Sequence, residues 1–547
     1  MYVSGHARSS ASRHGPRLRT PWAYRICDGM TEAVLYFAVI FAPWAFGTTA
    51  RWSIWTMNVA AYALGALLIA KWLIRWRTGY LPLRWGEAAS GSGSQKAEAG
   101  SQKQELGNEG EKKANSEDGT QNSRGQGQSM MKVLTATLAT LTIAILAYCL
   151  ISAINARSTF YYRQLAFEPH DYVAWLPHSY DSWATWQAFW MYLGLAWTFW
   201  AARDWALGKS TSERRESRAD GQEPDDDSGV RTQRSAFSTR LQRLLWVLCL
   251  NGAVLALEGI LQRLSGTNRL LWQVQPEINR SGELQFGPYA YRSNAAQYLN
   301  LLWPVCLGFW WTLRRAHQRS GRAGARLGSG PQVLLLPCAV LMAAAPIIST
   351  SRGGAVVAAA EMLVALALLM VAQRRGHRSM RLGMVVLFAA ALGLACSLGW
   401  ESLGPRLNNI FADNLGGRIE IYRNAEQMAR DFPVFGTGPG TFPWVYLLYR
   451  SHAQAGWAGY AHNDWLETRI TFGWVGLALI IAALAVVLPR WFCGVGVPAP
   501  WPFVSLIWLA LVGCLVHARF DFPFQIYSTL ALFLHSSVIL FCLARER

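Results

Sequence analysis

The chain has 547 residues, 52% of them apolar, with nine cysteines and a net charge of +18. The apolar residues run in nearly unbroken blocks without the polar stripe of an amphipathic core helix, which excludes an ordinary soluble domain and points to bilayer spans. The basic residues are scattered among short loops instead of lining one aromatic face, which excludes a nucleic-acid module. The cysteines sit singly without CxxC pairs, which excludes a disulfide framework and leaves no metal site to read.

An Arg- and His-rich segment, 1–30, opens the chain. No small-residue cleavage site follows the first apolar run, so the first helix is expected to stay as an anchor. Spans are expected at 31–47 and 54–76, within a first unit at 31–86. Residues 87–128, rich in Gly, Ser, Gln, Lys and Glu, have too little apolar surface to offset the entropy of ordering and are expected to be a disordered insertion. A second pair of spans follows at 131–153 and 183–205, then a second disordered insertion at 209–234. The remaining membrane domain, 241–543, holds spans at 241–262, 294–313, 332–349, 354–372, 382–400, 471–489, 502–517 and 523–543. Trp residues gather near the ends of these blocks, as in Trp44, Trp52, Trp310, Trp311, Trp400 and Trp474, where an amphipathic ring prefers the headgroup layer.

The fold class is therefore all-α: a polytopic membrane protein of about twelve helices, with one large folded helical loop at 401–470. The loop has helical spacing from Arg418 to Asp431, then the turn Phe435-Gly-Thr-Gly-Pro-Gly-Thr441, then an aromatic stretch. The glycine run misses the dinucleotide spacing and lacks a strand–helix context, so it reads as a structural turn. Twelve spans put both termini on one side. The short loops on that side carry Arg314, Arg315, Arg319, Arg322 and Arg326 in one case and Arg374, Arg375, Arg378 and Arg381 in another. Positive charge favours the cytoplasm, so both termini and both insertions are expected there, and the 401–470 loop on the periplasmic face.

The chemistry-bearing residues collect on that outer face. Arg352 lies in the turn Ser351-Arg-Gly-Gly354, and Arg292 and Asn294 open a span. Arg418, Arg423 and Arg430 lie on the loop helix. His462, Asn463 and Asp464 precede another span, and His517, Arg519 and Asp521 form the last outer turn. Guanidinium groups at a membrane surface suit a lipid-linked pyrophosphate, whose charge needs fixed donors while its tail stays in the bilayer.

Over roughly 287–536 these residues resemble the superfamily of O-antigen ligases and O-antigen polymerases. His462-Asn463, followed after nine residues by Gly473-Trp-Val-Gly476, is similar to the ligase signature. Gly417-Arg-Ile-Glu-Ile-Tyr422, Phe432-Pro-Val-Phe-Gly-Thr-Gly-Pro-Gly-Thr-Phe442, Thr350-Ser-Arg-Gly-Gly354 and His517-Ala-Arg-Phe-Asp-Phe-Pro523 resemble its other elements. Tyr291-Arg-Ser-Asn-Ala-Ala296 departs from the usual pattern in carrying Tyr where Asn is usual. The resemblance implies a bacterial inner-membrane glycosyltransferase with its active site on the periplasmic side and no cofactor or metal. His462 would be the catalytic base, Arg352 and Arg418 would bind the donor pyrophosphate, and Arg292, Asn294, Asn463, His517 and Asp521 are secondary candidates. It implies an inverting transfer from a polyprenyl-pyrophosphate (undecaprenyl-type) glycan to a hydroxyl on a glycan, lipid or protein acceptor. Polymerisation of repeat units uses the same donor logic and stays open, as in lipopolysaccharide or other polysaccharide biosynthesis. A lipid-linked oligosaccharide flippase is the reading from another class; internal repeats and helices broken at the midplane would favour it, and the sequence shows neither.

Overall fold

The computed structural model describes residues 20–85, 110–209, 213, 237–319, 330–374, 378–409, 414–451, 459–492 and 497–545. In chain order the helices are α1 (Trp22–Trp44), α2 (Arg51–Thr78), α3 (Gly110–Ile154), α4 (Ser182–Ala206), α5 (Thr239–Leu264), α6 (Arg292–Arg319), α7 (Leu335–Ile348), α8 (Arg352–Ala372), α9 (Arg378–Asn408), α10 (Asn414–Asp431), α11 (Phe442–Val445), α12 (Asp464–Val487), α13 (Trp501–His517) and α14 (Tyr527–Cys542). The protein is thus an all-α polytopic membrane protein. Among the described residues, eight helices are long and apolar enough to cross a bilayer: α1, α2, α3, α5, α7 with the turn before it, α8, α9 and α12. α13 and α14 are shorter apolar helices, and α4 and α6 occupy the positions of the two other expected spans.

The core is built around α6, which packs against α5, α7, α8, α13 and α14. Buried Leu299, Leu302, Trp303 and Phe309 of α6 meet Met342 and Ala343–Ala345 of α7 and Phe503, Leu506 and Ala510 of α13. Small residues set how closely these helices approach: a Cβ on Gly252 of α5 would lie 2.2 Å from Leu302 and 2.7 Å from Met342. This is the membrane mode of packing, in which close backbones replace the hydrophobic effect as the source of attraction. α1, α2 and α4 form a second layer joined to it through α5 and α14.

Several boundaries differ from the sequence reading, beginning with α1, which starts at Trp22 inside the segment 1–30. α3 begins at Gly110, inside the segment composed for disorder; a helix nucleated by an apolar span propagates at low cost into polar flanking sequence. The rest of that insertion, 87–109, and most of the second one lie outside the described residues. α9 runs on to Asn408 and takes the first residues of the expected 401–470 loop. Between α3 and α4 a small antiparallel hairpin forms, β1 (Ser158–Tyr161) on β2 (Ala166–Pro169), and a short parallel pair joins β3 (Val497–Ala499) to β4 (Leu543–Arg545).

The most consequential local feature is a break inside α12. Gly473 has φ +59° and ψ −169°, a region open essentially to glycine. The donors and acceptors freed there are taken up by the glycine-rich turn: Thr437 N–H donates to Ile470 O (2.8 Å), Gly438 N–H to Thr471 O (2.9 Å) and Trp474 N–H to Pro433 O (2.8 Å). Tyr148 of α3 adds its hydroxyl, donating to Phe435 O (2.6 Å) and Phe472 O (2.8 Å). Gly436, Gly438 and Gly440 all have positive φ, and a Cβ on Gly436 would lie 2.4 Å from Ile470 O. The glycine run is a structural turn, as its sequence implies. The unbroken helix expected at 471–489 is instead kinked, because the turn's backbone substitutes for the missing helical bonds.

Candidate functional site

Five distant stretches meet at one end of the bundle: the start of α6, the turn before α8, one face of α10, and the 460–464 loop stitched to the turn after α13. The stitching begins at the entry to α12. Asn463 has extended backbone and its side-chain oxygen accepts from Leu466 N–H at 3.2 Å, capping the helix. Asp464 N–H donates to Ala518 O at 2.8 Å, while its carboxylate accepts from Phe524 N–H (2.7 Å) and Gln525 Nε2 (3.2 Å). Glu467 accepts from Ala461 N–H at 2.7 Å. His462, squeezed between these anchors, adopts φ +52°, a left-handed conformation uncommon for a residue with a side chain.

That strained backbone aims the His462 ring at Asp521. Nδ1 lies 3.2 Å from Asp521 Oδ1, Tyr422 of α10 donates its hydroxyl to His462 O at 2.9 Å, and the ring stands edge-on to Phe522 at 4.8 Å. Asp521 is almost fully buried yet has several partners. Arg418 Nη2 is 3.8 Å from Oδ2, and Ser293 Oγ donates a short hydrogen bond to the same oxygen. Burial pushes the Asp521 carboxyl up, but the His462 hydrogen bond and the positive charges of Arg418 and nearby imidazoles outweigh it, holding the pKa at about 2. An ionised Asp521 only accepts, so Nδ1 of neutral His462 must carry the proton, leaving Nε2 with the free lone pair.

Arg418 is held by three groups: Asp521, the Tyr291 hydroxyl (3.0 Å) and Phe520 O (2.5 Å). Burial pulls its pKa down, and the Asp521 charge and Tyr291 raise it above the ordinary value. Tyr291 stacks on Phe522 with ring centroids 5.4 Å apart, and Phe522 stacks in turn on Tyr460 at 4.3 Å. Tyr291, the departure from the family pattern, thus positions Arg418.

Arg352 is the first residue of α8, capped by Ser351, whose Oγ accepts from Gly354 N–H at 3.1 Å. The Ser351 hydroxyl donates to Ser293 Oγ at 3.1 Å, and Ser293 donates onward to Asp521. One hydroxyl relay therefore links the Arg352 turn to the His462–Asp521 pair. His517 packs beneath the same turn: a Cβ on Gly353 would lie 3.0 Å from its Nε2.

The remaining candidates divide. Arg292 is buried and donates to Glu283 O (2.5 Å) and Thr350 Oγ1 (3.2 Å), so it braces the Arg352 turn from behind. Asn294 is buried in the first turn of α6, and Asn463 is a helix cap. His517 is buried, with neither ring nitrogen hydrogen-bonded among the described residues. Arg423 and Arg430 do not join the group: they are exposed on another face of α10, with Arg430 3.9 Å from Glu426. Helical spacing explains the split, since 418, 422, 425 and 429 share the inward face. Arg519 is also exposed. Ser293 and Tyr291 escaped the sequence reading as site residues; Ser293 lies between the candidates Arg292 and Asn294 and Tyr291 directly precedes Arg292, which was the available signal.

Residues 337–481 match the family described as O-antigen ligase. The match spans α7 to the middle of α12 and includes Arg352, Arg418 and His462, while Tyr291, Ser293 and Asp521 lie outside it. A search of curated proteins finds no match.

Proposed function

We propose, from the match of residues 337–481 to the O-antigen ligase family, that this chain is a membrane glycosyltransferase of ligase or polymerase type that moves a glycan from a polyprenyl-pyrophosphate donor to an acceptor hydroxyl outside the cytoplasm. The observation that carries the reading is the His462–Asp521 contact at 3.2 Å with Arg418 on the same carboxylate. A base oriented by a buried acid, beside fixed cations, is what acyl- and glycosyl-transfer chemistry requires.

In the proposed reaction His462 Nε2 takes the proton of the acceptor hydroxyl. The acceptor oxygen forms a bond to the anomeric carbon as the carbon–oxygen bond to pyrophosphate breaks, and the lipid pyrophosphate leaves with the electron pair. One displacement inverts the anomeric centre. Asp521 keeps Nδ1 protonated and stabilises the imidazolium that forms. Arg352 and the open edge of Arg418 bind the pyrophosphate, doing by fixed charge the work that other transferases assign to a divalent ion. General-base assistance of this kind contributes ~10²–10⁴ in rate.

The break in α12 raises the flippase reading, because interrupted helices mark transporter sites. Here the freed backbone groups are paired with the 433–438 turn, which favours transfer over transport. The test uses purified protein, a synthetic polyprenyl-pyrophosphate glycan and candidate acceptors, with and without chelator. A new glycosidic bond that forms in chelator and is lost in His462→Ala and Arg352→Ala supports the reading. Labelled lipid crossing leaflets without bond formation would establish the transporter instead.

A further inference from the structure

At the end of the bundle far from the His462–Asp521 pair lies a second concentration of charge that sugar transfer does not use. α4 starts beside the glycine-rich turn, where Thr185 Oγ1 donates to Pro439 O at 2.9 Å. It reaches Asp204 about 33 Å further along its axis at 1.5 Å per residue, close to the opposite bilayer boundary. Six cations gather there among the described residues: Lys71 and Arg75 of α2, Arg84 after it, Arg203 of α4, Arg240 of α5, and Arg490, which shares the Phe541 ring with Arg203. Two aspartates serve them. Asp204 is shared by Lys71 (2.9 Å), Arg75 (2.8 Å) and Arg84 (3.8 Å), and Asp28 of α1 by Lys71 (3.5 Å) and Arg240. Glu213 caps α5, accepting from Thr239 N–H and Oγ1.

The cations outnumber the two aspartates in a cluster where the Lys71 side chain is fully buried and that of Arg240 nearly so. Buried charge at a membrane boundary persists only when it is paired or reaches solvent. Two of these cations are weakly paired. Arg203 makes no ion pair among the described residues: it donates to Thr135 Oγ1 of α3 at 2.9 Å and lies 5.7 Å from the Trp200 ring and 5.6 Å from that of Phe541. Arg84, whose charge Arg203 feels, reaches Asp204 only at 3.8 Å and leaves 35% of its side chain open. α3 leaves much of its apolar surface open: Met131, one turn from Thr135, is half-buried, and Met130 and Val133, on the face turned from Thr135, are exposed.

We propose that Arg84 and Arg203 form the open face of a headgroup site for an anionic phospholipid, its phosphate between the two guanidiniums and its acyl chains against α3. A guanidinium held near aromatic rings suits phosphate contact through the N–H groups it does not spend on Thr135. The phosphate supplies the counter-charge the aspartates do not. A soluble anion has the same chemistry but gains nothing from the apolar α3 surface alongside.

The test uses the full-length protein in nanodiscs of phosphatidylcholine alone or an equal mixture with phosphatidylglycerol, with native mass spectrometry of the detergent-extracted protein. Wild type is expected to retain phosphatidylglycerol and to melt at a higher temperature in the mixture. Arg84→Gln/Arg203→Gln, which leaves the Asp28–Lys71–Asp204 links intact, is expected to bind the lipid about 30-fold more weakly, two basic contacts at their usual strength. Arg243→Gln, whose partner is Glu32 at 2.7 Å, is expected to bind as wild type does. Three outcomes would overturn the proposal: equal melting in both lipids with no lipid retained, equal stabilisation by inorganic phosphate, or a loss as large in Arg243→Gln as in the double variant.

Discussion

Replacing Asp521 by Asn isolates what the buried charge does, because the amide keeps the shape of the carboxyl and removes its negative charge. In the wild type the group faces His462 at 3.2 Å, Arg418 at 3.8 Å and the Ser293 hydroxyl. Removing one partner of a buried ion pair costs about 3–5 kcal/mol. Arg418 and His462 each keep 24% of their side chain exposed, so water recovers part of this and about 2–3 kcal/mol is expected in stability. The effect on catalysis should be larger. An Asn amide can turn its N–H₂ toward Nδ1, which selects the tautomer protonated at Nε2 and blocks the base. With purified enzyme and a synthetic lipid-linked donor, kcat should fall ~10²–10⁴ while the folded fraction, read by size-exclusion chromatography and thermal melting, persists. Ser293→Ala, which removes a hydrogen bond to the same oxygen but no charge, should lose less than about tenfold, the worth of one hydrogen bond. Wild-type turnover in Asp521→Asn would refute the assignment of His462 as a base oriented by Asp521. So would equal losses in the two variants.

Three further outcomes follow from the geometry. Asp521 has a folded pKa of about 2 against an ordinary value near 3.9; a depressed carboxylate stabilises above its unfolded pKa. About 2 kcal/mol of stability should therefore be present at pH 5 and lost as pH falls from about 4 to 2, and melts of Asp521→Asn should lack this component. Gly473→Ala must place a Cβ 2.2 Å from Val434 O in a conformation closed to alanine. It should cost about 1–3 kcal/mol or more and lower the melting temperature, whereas an unchanged melt would mean that α12 is not broken there. Tyr291→Phe deletes the hydroxyl that receives the 3.0 Å bond from Arg418 but keeps the stack on Phe522. Turnover should drop about tenfold or less with little loss of stability, and Tyr291→Asn, which also removes the stack, should lose more.

The His462-to-Gly476 signature shows why spacing was readable and its cause was not. His462 and Asn463 mark the entry to α12, and Gly473 marks its break. Both are local facts, since a cap and a positive φ depend on a few consecutive residues. The partner of the break, the 433–438 turn, is a tertiary matter. Composition gave no sign that two glycine motifs some thirty-five residues apart would complete each other's hydrogen bonds.

Sequence by itself determined the solvent of this protein: long apolar blocks cannot be buried except in lipid, so the all-α polytopic fold and the approximate place of each helix were legible from the chain alone. It also determined which residue types gather near one face. Only the tertiary structure decided which of them meet. Asp521 and His462 lie 59 residues apart in the chain, and Ser293 is more than 160 residues from either. Their contact depends on α6 packing against α13 and on the backbone bond that ties Asp464, at the head of α12, to Ala518 after α13. Arg423 and Arg430, indistinguishable from Arg418 by composition, turn away because a helix has one inward face and packing alone selects it.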